Sequence, residues 1–334
     1  MLISTIFTGG TIGSHMDKSG YISTDSMAKY RLIEMYKASL QHTNSTSIDS
    51  ACADVEFLTS EPYTILSENL DATHINKLVK CVNEILTNKD TPVQGIIITH
   101  GSDTIQYTAS ILSYVFGCNT VPIILVCSAY ILDDPRQNGL QNFAAAVDFI
   151  KNERGNGVFI AYKNPNDSVL FHYGTRMQNP GIMSASIDSV LNANYPSEEG
   201  CTAHLPISAF DFELNEFASS ILRIKVYPGM IYPTCLSKVQ AVLLETYHSG
   251  TICINDDLKR FAKLAKENEV PIYLVGLNTS EAEYATVAEY EALGIIAIPA
   301  YSAISQYCKL WIATSHDLDI KNIMQVSYAK DWMI

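Results

Sequence analysis

Short, uninterrupted apolar runs constrain this chain more than any other feature. They lie at residues 1–8, "GIIIT" (95–99), "VPIILV" (121–126), "GVFIAY" (157–162), "VQAVLLE" (239–245), "VPIYLVG" (270–276) and "GIIAIPA" (294–300). A strand with one face in water alternates polar and apolar residues. These runs do not alternate, as burial on both faces of a parallel sheet requires. Helix-period segments lie between them. In "DTIQYTASILSYVF" residues Ile105, Ala109, Leu112 and Phe116 share one face, and in "DDLKRFAKLAKENE" so do Leu258, Phe261, Leu264 and Ala265. Strand alternating with helix predicts a doubly wound, mostly parallel α/β fold. Such sheets bind ligands beyond the carboxyl ends of their strands.

The pattern loses its period across "PSEEGCTAHLPISAFDFELNE", and 334 residues suffice for two cores. The reading is an α/β domain over 1–195 that carries the site, a linker over 196–220, and a smaller α/β domain over 221–334. A formal net charge of −13 argues against non-specific nucleic-acid binding. No apolar run approaches the roughly 18 residues of a membrane span. The first residues carry no basic region or cleavage site, and their apolar run reads as a strand of the fold. The eight cysteines (52, 81, 118, 127, 201, 235, 253 and 308) form no CxxC pair. They read as reduced, buried thiols of a cytoplasmic protein. The eight histidines include no HExxH or HxxxH pair, so neither a metal site nor a cofactor is expected.

Two motifs follow apolar runs and fall at the predicted carboxyl edge. "FTGGTIGS" (7–14) places two glycines and a threonine after the first strand. It is not GxGxxG and no Walker lysine follows, so the phosphate fingerprints are absent. A Gly-Gly turn can serve backbone geometry alone. It can also set a hydroxyl nucleophile among backbone N–H donors. "THGSDTIQYTAS" places Ser102 and Asp103 at the opening of a helix. One reading is an N-cap. The other is a hydroxyl and a carboxylate at a helix N-terminus, able to bind substrate or shuttle a proton.

Together, "TGGTIGS" and "THGSDTIQYTA" resemble the bacterial-type L-asparaginase/glutaminase family, and the resemblance covers nearly the whole chain. "ILSENLD" (65–71) is similar to that family's substrate-binding segment, "GYISTDS" (20–26) to its lid, and "YPGM" (227–230) and "ETYHSG" (245–250) to the start of its smaller domain. The resemblance implies an amidohydrolase that releases ammonia from a side-chain carboxamide through an acyl-enzyme. Thr11 would be the nucleophile and Tyr21 the lid tyrosine. Ser102 and Asp103 would complete the catalytic group. Ser67 and Glu68 would hold the α-carboxylate and α-amino groups of the substrate. Backbone donors near Gly10 and Gly101 would stabilise the oxyanion. It further implies a homodimer or homotetramer acting on a small amino-acid amide, with no nucleic-acid or membrane partner.

Some positions depart from the family pattern. Ser102 stands where threonine is usual, keeping the hydroxyl without the β-branch. In "GTRMQN" (174–179), Gly174 and Arg176 match a G-x-R-x-x-K pattern, but Asn179 takes the lysine position. A shifted register would place Arg176 there. Neither residue can shuttle a proton as lysine does. Lys163, in "AYKNPND", is the nearest alternative lysine. Asn138 stands where an acidic residue is common, and Thr251 where the "HSGT" turn often has asparagine. A catalytically weak or inactive binding or regulatory protein on the same fold is therefore the competing reading. An amidase for a modified or peptidyl amide is a third. The remaining candidates read as structure: His100 and His248 at strand ends, His74 on a helix surface, and Asp133 and Asp134 in a solvated turn.

Overall fold

The computed structural model describes residues 1–24, 27–43, 55–196, 212–216, 221–277 and 286–332. It divides into two compact units, one running Met1–Ser197 with Phe212, the other Glu213–Ile334. Most of the expected linker, residues 197–211 and 217–220, lies outside the described residues.

In the first unit, β1 (Leu2–Phe7) leads through the hairpin β2 (Ser14–Met16) and β3 (Ile22–Thr24) to α1 (Ala28–Thr43). There follow β4 (Glu56–Ser60), α2 (Ala72–Thr87), β5 (Gly95–Thr99), α3 (Ile105–Phe116), β6 (Ile123–Val126), α4 (Gly139–Lys151), β7 (Val158–Lys163) and β8 (Val169–Tyr173). The six-stranded sheet has the order β4-β1-β5-β6-β7-β8. Only β8 runs antiparallel to its neighbour. Every residue of β5 and β6 is buried, which accounts for their unbroken apolar sequences. One face packs Ile3, Phe7, Ile97 and Phe159 against Leu32 and Tyr36 of α1 and Phe143 and Val147 of α4.

The apolar runs became strands, with ends trimmed by a residue or two. Three strands of the two large sheets had no such run. Strand β4 is an edge strand with exposed residues, β8 returns antiparallel at the other edge, and β9 (Ile221–Lys225) is largely half-buried. The expected amphipathic helix at 103–116 is corrected in two ways. It starts at Ile105, and it is buried on every side, with Tyr107 alone half-buried. Its polar residues tolerate this because they are bonded. Ser110 Oγ donates to the Gly174 carbonyl at 2.8 Å, and Ser113 Oγ to that of Ala109 at 2.7 Å.

The second unit has its own parallel sheet of β9, β10 (Ala241–Glu245), β11 (Ile272–Val275) and β12 (Ile295–Ile298), in the order β12-β11-β10-β9. Leu258, Phe261 and Ala265 of α5 (Asp256–Glu267), with Tyr290 of α6 (Thr286–Ala292), cover one face. Leu264 of α5 is only half-buried. Leu310 of α7 (Ala303–Ser315) and Met324 of α8 (Ile320–Met324) lie on the other. A buried ion pair ties the chain end to α7. Lys309 Nζ lies 2.9 Å from Asp331 Oδ2, which also accepts from Gln306 at 3.0 Å. The cation sits 5.2 Å from the Tyr328 ring centroid and 5.6 Å from that of Trp332.

The described cysteines are all free, but their expected burial is corrected. Cys127 and Cys308 are buried, whereas Cys118, Cys235 and Cys253 are exposed in loops beyond helix and strand ends. Cys52 and Cys201 lie outside the described residues. Among the described residues no helix is long and apolar enough to cross a membrane.

Candidate active site

Strands β1 and β5 are neighbours, with Phe7 opposite Thr99. The two glycine motifs therefore leave the sheet side by side at its carboxyl edge. Strand order reverses here: the chain steps from β1 to β4 on one side, then returns past β1 to β5. The end of the strands at such a reversal is where doubly wound sheets bind ligands.

Gly9 and Gly10 have φ of 98° and 72°, the left-handed region that glycine enters without strain. The Gly10 N–H donates to the Ile65 carbonyl at 2.8 Å, and the Ile65 N–H to that of Thr8 at 3.1 Å. This splices the "ILSEN" segment onto the first motif. Space is as demanding as conformation. A Cβ on Gly10 would stand 2.4 Å from Gly101 Cα, and one on Gly101 2.3 Å from Ser67 Oγ. Three segments distant in sequence thus meet at distances that only glycine permits. Thr8 Oγ1 donates to the Thr99 carbonyl at 2.7 Å, and Thr104 Oγ1 to that of Ser67 at 2.9 Å.

The fold brings Gly10, Thr11, Ser67, Glu68, Gly101, Ser102 and Asp103 to this one edge. Gly10, Gly101 and Ser67 are buried, Thr11 and Ser102 half-buried, and Glu68 and Asp103 exposed. Thr11 begins a short 3-10 turn, Thr11–Gly13, and Ser67 another, Ser67–Asn69. The capping explanation of the second motif fails. Helix α3 has Thr104 at its N-cap position, with no side-chain cap. Among the described residues, the hydroxyls and the backbone N–H groups of Thr11 and Ser102 form no hydrogen bond. Donors on half-buried residues at such an edge are what an oxyanion or a substrate carboxylate would use.

His100 is the feature that sequence reasoning set aside as structure. The ring is buried, with Nδ1 2.8 Å from the Gly101 carbonyl and Nε2 2.9 Å from Thr108 Oγ1 on α3. A carbonyl can only accept, so Nδ1 carries the proton, and Nε2 accepts from the threonine. Burial pushes its pKa down to about 4, against a smaller opposing effect of the Gly101 bond. The ring is neutral near pH 7. The only sequence signal was a histidine between a buried run and a required glycine, with a threonine eight positions on.

Tyr21 is in the β2–β3 hairpin, whose turn is held by Asp17 Oδ1 accepting from the Ser19 and Tyr21 N–H groups at 2.8 and 2.9 Å. Tyr21 is 73% exposed, and β3 just after it contacts the Thr11–Gly13 turn. Asp25 and Ser26 of the lid segment lie outside the described residues. Asn179 is exposed on the loop after Gln178. Arg176 is fully buried, with its guanidinium 5.0 Å from the Tyr173 ring centroid. Lys163 ends β7, half-buried, its backbone N–H held by Asn142 Oδ1 at 2.9 Å. In the second unit, the Thr251 and Ser249 hydroxyls are 3.1 Å apart, and His248 beside them is exposed.

Asn138 has a physical reason to be an amide. Its Oδ1 accepts from the Ala129 N–H at 2.9 Å, while its Nδ2 donates to the Lys163 carbonyl at 2.9 Å. A carboxylate would meet that carbonyl with no proton to offer. Asp133 and Asp134 are ion-paired rather than merely solvated. Arg31 forms a two-pronged bridge to Asp133. Arg136 lies 2.7 Å from Asp134 and holds its pKa down at about 2, chiefly by hydrogen bonding. His74 Nδ1 lies 2.6 Å from Asp71, the residue that caps α2.

Among the described residues no cluster of three or more histidine, cysteine or carboxylate side chains is placed to hold a metal. The family model for the asparaginase N-terminal domain matches residues 2–190. An L-asparaginase of Thermococcus kodakarensis is 26% identical, over 98% of this chain and 96% of its own length. A component of the glutamyl-tRNA(Gln) amidotransferase of Methanobrevibacter smithii is 29% identical over 58% of this chain, a match spanning 40% of that protein. Among solved structures, the T. kodakarensis L-asparaginase superposes with a TM-score of 0.72 at 20% identity, covering 100% of this chain and 99% of the other. L-asparaginase I of Vibrio cholerae gives 0.69 at 21%, with the same coverage. A family match over more than half the chain and a full-length relative, joined to the glycine contact between the loops after β1 and β5, lead to one conclusion: the chain belongs to the asparaginase family.

Proposed function

We propose that the protein is an asparaginase-type amidohydrolase, with Thr11 as nucleophile, that releases ammonia from the side-chain carboxamide of asparagine or a related amide. The observation that carries this reading is the pair of Thr11 and Ser102 N–H groups without partners among the described residues, next to the Gly10–Gly101 approach. Thr11 Oγ1 adds to the amide carbon, and backbone donors hold the tetrahedral oxyanion. Ammonia leaves with the threonine proton, and an ester remains. Water then hydrolyses the ester and restores the hydroxyl. The Ser102 hydroxyl relays protons at this edge, while Ser67, Glu68 and Asp103 bind the amino-acid end of the substrate. Glu68 and Asp103, both exposed, suit an ammonium group.

Asn179 favours slow turnover. General acid–base assistance is worth about 10²–10⁴-fold, and an amide does not titrate. A protein that binds an amino acid with little catalysis is the second reading, on that observation alone. Ammonia release measured alongside thermal-shift binding of aspartate separates the two. Slow release by wild type, abolished in Thr11→Ala with folding and binding retained, is the expected result. Equal release by wild type and Thr11→Ala would remove Thr11 from its role. Binding without any release would establish the second reading.

A further inference from the structure

We infer that His100 is a positioning residue that fixes the direction of the backbone N–H of Ser102 at this edge. The inference rests on the amidohydrolase reading and adds a role to a residue outside the motif's reacting groups. The ring is 2% exposed and bridges two elements. On one side Nδ1 meets the Gly101 carbonyl at 2.8 Å, and on the other Nε2 meets Thr108 Oγ1 at 2.9 Å. Thr108 is itself wholly buried in α3, so the hydroxyl is a fixed reference point rather than a mobile surface group.

The consequence follows from peptide geometry. In a planar trans peptide the carbonyl and the next N–H point in opposite directions. Drawing the Gly101 carbonyl toward the buried ring turns the Ser102 N–H away from it. That N–H has no partner among the described residues. Gly101 has no side chain to resist rotation of this peptide, and none can be added, because Ser67 Oγ occupies the place of its Cβ. An otherwise loose peptide at a reacting edge needs an external restraint, and the ring supplies it. The low pKa is consistent with the same role, since the ring is neutral through the neutral range.

The test uses variants that keep one ring nitrogen at a time. His100→Asn places an amide donor near the Nδ1 position and retains the bond to Gly101. His100→Gln reaches the Nε2 position and loses it. Loss of one oxyanion donor typically costs about 10²–10³-fold in kcat. His100→Gln should therefore lower the kcat of ammonia release by about that factor, with KM little changed. His100→Asn should recover most of the loss. Crystal structures should show the Gly101 carbonyl unmoved in His100→Asn and rotated in His100→Gln. If His100→Gln does not fold, Thr108→Val frees the ring at Nε2 and should show the same kcat loss, smaller, and the same rotation. Equal kcat in the Asn and Gln variants, or an unmoved peptide in every variant, would overturn the inference. Absence of ammonia release from wild type would refute the amidohydrolase reading. The peptide orientation would still decide this one.

Discussion

The two parallel sheets of this protein differ in one respect that decides where chemistry can sit. In the second, strand order follows the chain without reversal, β12-β11-β10-β9. In the first, the order reverses between β1 and β5, the kind of position at which such sheets bind ligands. The glycines reflect the difference. Gly10 and Gly101 are pressed against backbone and Ser67, whereas Gly294, before β12, has φ of 76° and open space within 4 Å of where a methyl group would stand. Gly276, after β11, faces only the Thr246 side chain and a rotatable hydroxyl. In the first sheet glycine answers a demand for space, and in the second a demand for backbone conformation. The strand ends are tied differently too. The second sheet uses backbone bonds, Thr246 N–H to Val275 O at 3.2 Å and Gly276 N–H to Ala300 O at 3.0 Å. The first adds side-chain amides, Asn138 and Asn142, between α4 and the ends of β6 and β7.

The largest expected difference is between Gly10→Ala and Gly294→Ala. The first adds a backbone clash to left-handed strain and should cost about 3 kcal/mol or more. The second should cost about 1–2 kcal/mol from strain alone. Urea midpoints of the two variants measure this directly, and equal losses would erase the distinction between the sheets. Next comes Asn138→Asp, expected to lose about 1–3 kcal/mol by leaving the Lys163 carbonyl without its donor. The loss should be larger at pH 7 than at pH 3, where a protonated carboxyl can donate. A pH-independent loss would mean that the bond to Lys163 contributes little.

The acid response of the first unit is spread over several pH units rather than set by one substitution. His100 and His172 are both pushed down to about 4, chiefly by burial. In the unfolded chain they take up a proton near 6.5. Between those values the unfolded state holds more protons, so stability falls as pH falls, by about 1.4 kcal/mol per histidine for each pH unit. Thermal midpoints from pH 7 to pH 4 should decline, and less steeply in His100→Asn. An identical slope in that variant would show that His100 is not one of the groups responsible.

What could be read from residues alone was what depends on near neighbours in the chain. Unbroken apolar runs such as "GIIIT" and "VPIILV" announced strands buried on both faces. The positions of Thr8–Thr11 and Thr99–Asp103 after such runs placed them at a carboxyl edge. The resemblance of the two motifs to the asparaginases came from the same short stretches. Strand β4 escaped notice because an edge strand needs no continuous apolar run. The full burial of α3 escaped because its serines and threonines look solvent-facing until their partners are known. The meeting of Gly10, Gly101 and Ser67 was beyond local pattern, as was the two-way bond of Asn138. Each depends on which strand lies beside which. That order is settled by long-range pairing of backbone donors and acceptors and by burial of whole faces, and no window of sequence contains it.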